Sequence, residues 1–132
     1  MIGLSLLFAL MQFTPDAQNC ADYGNLPQQQ MNACAYWEYE LADAELQDVW
    51  ERAIGYARNY LSFDDLNDGR ESGADRLMAA QRAWIILRDE HCATYSYHMR
   101  GGSAEPLLYH GCRTSMTRQR VTELRNLMIE DQ

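Results

Sequence analysis

Apolar residues recur along most of the chain at steps of three and four residues, the spacing of one face of an α-helix. One continuous stripe comprises Tyr39, Ala42, Leu46, Val49, Ala53, Tyr56 and Tyr60. It is widened by Trp50, Ile54, Ala57 and Leu61. The stripe predicts a long amphipathic helix over about residues 27–61, with Pro27 just inside its start and Asn25 as the candidate cap.

Two further helices are predicted after this one. The stretch "SFDDLNDGRESGAD" interrupts the period with glycine, asparagine, aspartate and serine, which is typical of a solvated connection. A second helix is predicted over about 75–99, ending at Gly101-Gly102. Past Pro106, a third amphipathic stretch contains Leu108, Met116, Val121, Leu124 and Met128. No strand-like alternation competes with this pattern, so the fold class is predicted as all-α, an antiparallel three-helix bundle.

The first residues have the pattern of an export signal. "IGLSLLFALM" is an uncharged apolar run that is too short to span a bilayer, and the polar "QFTPDAQNC" follows it. We therefore predict a signal-peptide-like segment over residues 1–17 and a helical domain over 18–132. The mature protein is then periplasmic or extracellular, with no integral membrane span.

The chain has four cysteines, Cys20, Cys34, Cys92 and Cys112. In a small exported domain, an even number of cysteines indicates disulfides. Cys92 and Cys112 stand at similar depth on either side of the turn near residue 103, and the segment after Cys20 can fold back over the first helical turn near Cys34. This favours Cys20–Cys34 with Cys92–Cys112. The crossed pairing, Cys20–Cys112 with Cys34–Cys92, stays open.

Metal binding is the rival interpretation of the cysteines, because three histidines, His91, His98 and His110, lie near two of them in sequence. There is no Cys-x-x-Cys pair, and adjacent residues such as His91 and Cys92 point to different faces of a helix. Zinc sites of this kind also compete poorly with disulfides in an oxidising compartment. We therefore expect neither a metal nor another cofactor.

The stretch "AQRAWIILRDEHC" places an arginine on an otherwise core-facing stripe of the second helix, since Trp84, Arg88 and Cys92 share one face. Trp84 is interpreted as a core anchor. Arg88 is interpreted as architectural, pairing with an acid of the first helix and fixing the register of the two helices. The acids that flank the facing stripe are Glu38, Asp43 and Glu45.

The charge is distributed unevenly. Eleven arginines and no lysine stand against nineteen acids, for a net charge of −8. Residues 38–75 hold eleven of those acids and three arginines, so the whole net charge lies there. Such one-sided acidity repels nucleic acid and attracts cationic partners. The serines lie in no recognisable nucleophile context and the cysteines are expected to be oxidised, so we do not predict an enzyme.

The order of these motifs resembles a known family. Cys20, then Cys34 within "MNACAYWEYELADAEL", then "AQRAWIILRDEHC", the Gly-Gly turn, Cys112 and "RQRVTELRNL" together resemble the secreted bacterial domain of the LprI lysozyme inhibitor family, over about residues 20–128. The resemblance implies a protein that inhibits a lysozyme, by steric blockade and without chemistry. The concentrated acidity supports this independently, because animal-type lysozymes are commonly cationic.

Two connections are long enough to cover an enzyme cleft. The first, "SFDDLNDGRESG", offers as partner-binding residues Asp64, Asp65, Asp68 and Glu71, with Arg70 as a side chain that can extend into the cleft. The second, "RGGSAEPLLYHG", offers Arg100, Ser103, Tyr109 and His110. The choice between them stays open at this point. The alternative function is a structural or interaction module of the bacterial envelope with an unidentified partner.

Overall fold

A computed structural model describes residues 12–129, and all regular structure within that range is helical. Helix α1 spans Gln28–Tyr60, α2 spans Gly73–Ser96 and α3 spans Glu105–Leu127. Short 3-10 turns lie at Tyr23–Asn25 and Tyr97–Met99. The predicted all-α, three-helix architecture is confirmed. Residues 1–11, the larger part of the predicted signal-peptide-like segment, lie outside the described residues.

The helices run up, down and up. The end of α1 meets the start of α2 where the Gly73 amide donates to the Leu61 carbonyl at 2.9 Å, so these two helices are antiparallel. The disulfide between Cys92 and Cys112 joins the end of α2 to the start of α3. Helix α3 therefore runs parallel to α1, and the Asn32 side-chain amide near the start of α1 accordingly donates to a backbone carbonyl just before α3.

Two helix ends differ from the sequence expectation. Asn25 does not cap α1, because its side-chain amide donates to the Asp22 carboxylate at 2.9 Å and Pro27 occupies the cap position without a side-chain hydrogen bond. Helix α2 ends as an α-helix at Ser96 and continues as a tighter 3-10 turn to Met99. Gly101 then takes a positive φ of 77°, the left-handed conformation that glycine adopts without strain.

The main core lies between α1 and α3. Its buried members are Leu46, Val49, Ala53, Val121, Leu124 and Met128. From α2, Leu77 and Trp84 pack against this cluster while only partly buried. A second cluster, Ile54, Ala57 and Ala74, closes the end of the bundle where α1 meets α2. The last residues of the predicted stripe, Tyr60 and Leu61, are exposed.

Both disulfides follow the pairing that the sequence favoured. Cys20–Cys34 ties the N-terminal segment onto the first turns of α1, with Cα atoms 5.7 Å apart. Cys92–Cys112 links α2 to α3, with Cα atoms 5.4 Å apart. Each bridge closes a loop of about 15 to 20 residues and thereby restricts the unfolded chain, which typically contributes about 3 kcal/mol.

Candidate partner-binding site

The acidic connection between α1 and α2, residues 62–72, is fixed at its base; we call it the acidic loop. Besides the hydrogen bond from Gly73 to Leu61, the Ser62 hydroxyl donates to the Ala57 carbonyl at 2.8 Å and accepts from the Ala74 amide at 3.3 Å. At position 73 a Cβ would collide with the carbonyl oxygen and the side chain of Leu61, so only glycine permits this approach. The two ends of the loop are therefore held together by the bundle itself.

Internal hydrogen bonds shape the acidic loop. The Asp64 carboxylate accepts a hydrogen bond from the backbone amide of Asn67 at 2.7 Å. Asn67 takes a positive φ of 47°, a conformation that asparagine tolerates. The Asp68 carboxylate accepts from Arg70 Nε and lies 2.6 Å from its Nη2. The hydrogen bond from this guanidinium lowers the pKa of Asp68. The Arg70 side chain is therefore paired with Asp68 and does not extend freely from the loop, as the sequence had suggested it could.

All four predicted partner-binding acids lie together on this loop and are exposed. Asp64 and Asp68 shape it, as described above. Asp65 and Glu71 form no ion pair within residues 12–129. The loop therefore combines two acids that hold its conformation with two that are available to an external cation.

Two large apolar side chains project from the same loop. Phe63 is 77% exposed and Leu66 is 73% exposed, the two highest values among the large apolar residues described. Exposed apolar side chains surrounded by charge are typical of protein-binding surfaces. Neither residue was predicted as a partner contact from the sequence, although a signal was present, since they are the only large apolar side chains of residues 62–72.

The second candidate connection, around Gly101-Gly102, is tied into the fold. The Gly101 amide donates to the Glu105 carboxylate at 2.8 Å, and the Ser103 carbonyl accepts from Asn32. The Arg100 guanidinium lies over the Tyr97 ring, 4.7 Å from its centroid. Tyr109 and His110 belong to α3 and are half-buried. This connection presents fewer free side chains than the acidic loop does.

Arg88 lies inside the bundle, with a side chain only 6% exposed. Its Nε is 3.0 Å from the carboxylate of Asp89, the next residue. Its Nη1 lies 3.9 Å from the carboxylate of Asp43 in α1. The same Nη1 donates to the hydroxyl of Thr117 in α3 at 3.4 Å. The guanidinium also lies 5.1 Å from the Trp84 ring centroid. The contact with α1 is therefore looser than a bidentate pair, and Arg88 joins all three helices rather than two.

A second arginine, Arg113, is half-buried between α1 and α3, and the sequence did not predict its contacts. The Arg113 guanidinium lies 3.6 Å from the centroid of the Tyr39 ring and 4.6 Å from that of Tyr109. Since a guanidinium can only donate, its 2.9 Å contact with His110 Nδ1 makes that ring nitrogen an acceptor. Burial, and then Arg113, lowers the pKa of His110. The spacing of residues 109, 110 and 113 on one helix face was the available signal, but the facing tyrosine depends on how α1 and α3 are rotated.

Residues 12–129 contain no group of three or more histidine, cysteine, aspartate or glutamate side chains arranged to hold a metal ion. His91 and His98 are exposed on the surface of α2 and of the turn that follows it. Among the described helices, none has the length and apolar character needed to cross a membrane.

The chain is similar to a known protein family and to a protein of a bacterium. The model of the family described as lysozyme inhibitor LprI matches residues 20–124. An uncharacterized protein of Rhizobium meliloti (strain 1021) is 36% identical over 102 residues, which cover 76% of this chain and 73% of the relative. No solved structure matches significantly. The matched range contains both disulfides, Arg88 and the whole acidic loop.

Proposed function

The chain belongs to the LprI lysozyme inhibitor family, and on that premise we propose that it is an exported inhibitor that binds a cationic lysozyme through the acidic loop. The observation that carries the proposal is the exposure of Phe63 and Leu66 among the acids of that loop. Two disulfides suit a protein that works in an oxidising compartment outside the cytoplasm.

Charge and apolar contact have separate roles in this proposal. The acids of residues 38–75 attract the enzyme and raise the association rate, an effect that weakens as salt screens exposed charges over a Debye length of about 8 Å at physiological ionic strength. Phe63 and Leu66 then lose their contact with water at the interface, and this desolvation slows dissociation. Inhibition is steric, since the loop covers the cleft and takes no part in chemistry.

The test combines a turbidity assay of lysozyme activity with a kinetic binding measurement of association and dissociation rates, both on purified, oxidised protein at low and physiological salt. The cleanest charge variant is Asp65→Asn with Glu71→Gln, because these two acids do not shape the loop. Its matched control is Glu40→Gln with Asp48→Asn, which changes the net charge equally on the exposed surface of α1. We expect the loop variant to slow association more than the control does, and Phe63→Ser with Leu66→Ser to speed dissociation.

The alternative function, an interaction module of the envelope, predicts a different outcome. If several lysozyme classes are unaffected at micromolar protein and low salt, the inhibitor proposal is wrong. If inhibition is seen but the loop variants and the α1 control behave alike, inhibition stands and the acidic loop is not the binding site.

A further inference from the structure

Helix α2 departs from the usual pattern of a surface helix on part of its circumference. It buries the polar residues Gln81, Arg88 and Ser96. Yet Ile85, Ile86 and Leu87 are 41%, 65% and 59% exposed. A helix that belongs only to an isolated bundle places its apolar residues toward the core and its polar residues toward water. Successive residues of a helix point about 100° apart, so Ile86 with the neighbouring Leu87, rather than all three residues, forms one exposed apolar surface that suits contact with a partner.

The residues around Ile86 form a definable face. Helical spacing places Ala79, Arg82, Ala83, Ile86 and Glu90 on the same side of α2, and all five are exposed. We call these five residues the outer face of α2. The alanines leave room for another helix to approach closely, and Leu87 borders the face. Neither Arg82 nor Glu90 forms an ion pair within residues 12–129.

The outer face is complementary to itself. Arg82 and Glu90 lie four residues before and four residues after Ile86. When two copies of α2 pack antiparallel about a two-fold axis at Ile86, Arg82 of each copy lies opposite Glu90 of the other. The interface then contains two such ion pairs. The same axis sets Ile86 against its own copy. An isologous interface requires this arrangement, in which one patch complements its own rotated image.

We propose that the outer face of α2 is the contact surface of a homodimer with antiparallel α2 helices. The face carries one positive and one negative charge, so two copies that meet there bring no like charges into contact, unlike pairings through the acidic residues 38–75. The same neutrality distinguishes it from the acidic loop, which is suited to a cationic partner. A single helix pair covers less than a standard interface of about 1,600 Å², so a dissociation constant in the micromolar range is expected.

The proposed dimer places its two acidic loops far apart. Each loop ends where α2 begins, at Gly73, thirteen residues before the axis at Ile86. At 1.5 Å per residue, each loop base lies about 20 Å from the axis, and the two bases lie about 40 Å apart at opposite ends of the helix pair. Dimerisation therefore leaves both loops accessible.

The test is sedimentation equilibrium of the mature, oxidised protein between micromolar and several hundred micromolar concentration, without any lysozyme. Wild type should dimerise, whereas Arg82→Glu and Glu90→Arg should each raise the dissociation constant about tenfold or more, since each places like charges opposite one another twice. The double variant should restore association. An equimolar mixture of the two single variants should form a heterodimer, because their faces become complementary.

Ile86→Glu should abolish the dimer, and Leu41→Glu, at an exposed apolar position of α1, is the matched control that should leave it intact. Thermal unfolding followed by circular dichroism verifies that each variant is folded. A wild type that stays monomeric over the whole range overturns the proposal. So does a dimer that both single variants and their mixture leave unchanged, because another surface then forms it.

Discussion

Removal of the Arg88 side chain should destabilise the bundle mainly through lost packing rather than through lost charge pairing. The two carboxylates beside it, Asp43 and Asp89, are 38% and 40% exposed, so water can solvate them once the guanidinium is gone. Their share of the loss is therefore that of a partly exposed ion pair, about 1 kcal/mol or less. Neither acid is therefore left buried without a partner.

The larger losses come from the interior. Arg88→Ala leaves the Thr117 hydroxyl, which is fully buried, without its contact to the guanidinium, at a cost of roughly 1–2 kcal/mol. It also opens a cavity beside the Trp84 and Tyr39 rings that the guanidinium now covers. Together these effects give a decrease of about 3–4 kcal/mol in the free energy of unfolding, or roughly 10 °C in melting temperature for a domain of this size.

The assay is urea unfolding at pH 7 of Arg88→Ala, Arg88→Met and Arg125→Ala. Methionine retains most of the volume but donates no hydrogen bond to Thr117, so Arg88→Met should lose about 2 kcal/mol, clearly less than Arg88→Ala. Arg125 pairs with Glu45 at 2.9 Å on the exposed surface, so its removal should cost less than about 1 kcal/mol. If Arg88→Met proves as damaging as Arg88→Ala, charge pairing dominates and our reasoning is refuted. An unchanged stability of Arg88→Ala would refute it equally.

Three further predictions concern the cysteines, the base of the acidic loop and the half-buried His110. Alkylation of the native protein without reductant, followed by mass spectrometry, should label none of the four cysteines, whereas labelling after reduction should reach all four. Gly73→Ala should destabilise the fold by about 1–3 kcal/mol in urea unfolding, because the new methyl group collides with Leu61, whereas Gly55→Ala, in open space within α1, should stabilise it by about 0.5–1 kcal/mol. The folded-state pKa of His110 lies below 6.5, so the unfolded chain binds this proton more tightly, and the free energy of unfolding should decrease as the pH falls below 6.5 toward the folded-state pKa. His110→Asn should flatten this part of the pH profile, and an unaltered profile would exclude His110 as its source.

The helices and the disulfide pairing were predictable because they depend on local spacing. The period of apolar residues located α1 to within about a residue at each end, and the turn near residue 103 set Cys92 opposite Cys112. What could not be predicted depends on how the helices are rotated against one another. The cation–π contact of Arg113 with Tyr39 joins two helices that are separated along the chain by the whole of α2.

The acidic residues of the candidate site could be predicted from the sequence, but the conformation of the loop that carries them could not. The acids of residues 62–72 were recognised from their clustering, and the choice between the two connections required knowing which side chains the fold itself uses. The prediction that Asn25 caps α1 was wrong, because the nearby Asp22 carboxylate accepts a hydrogen bond from the Asn25 side chain.

The closed base of the acidic loop allows the sequence of its tip to change among related proteins. The backbone bond between Gly73 and Leu61 and the two bonds of Ser62 do not depend on the identity of the residues at the tip. A flexible loop that doubles in length costs only about 0.6 kcal/mol more to close. Insertions and substitutions at the tip of the loop should therefore accumulate without repacking the helices. Related chains can in this way acquire different targets on the same helical bundle. For the same reason, a foreign peptide can be grafted between positions 63 and 71.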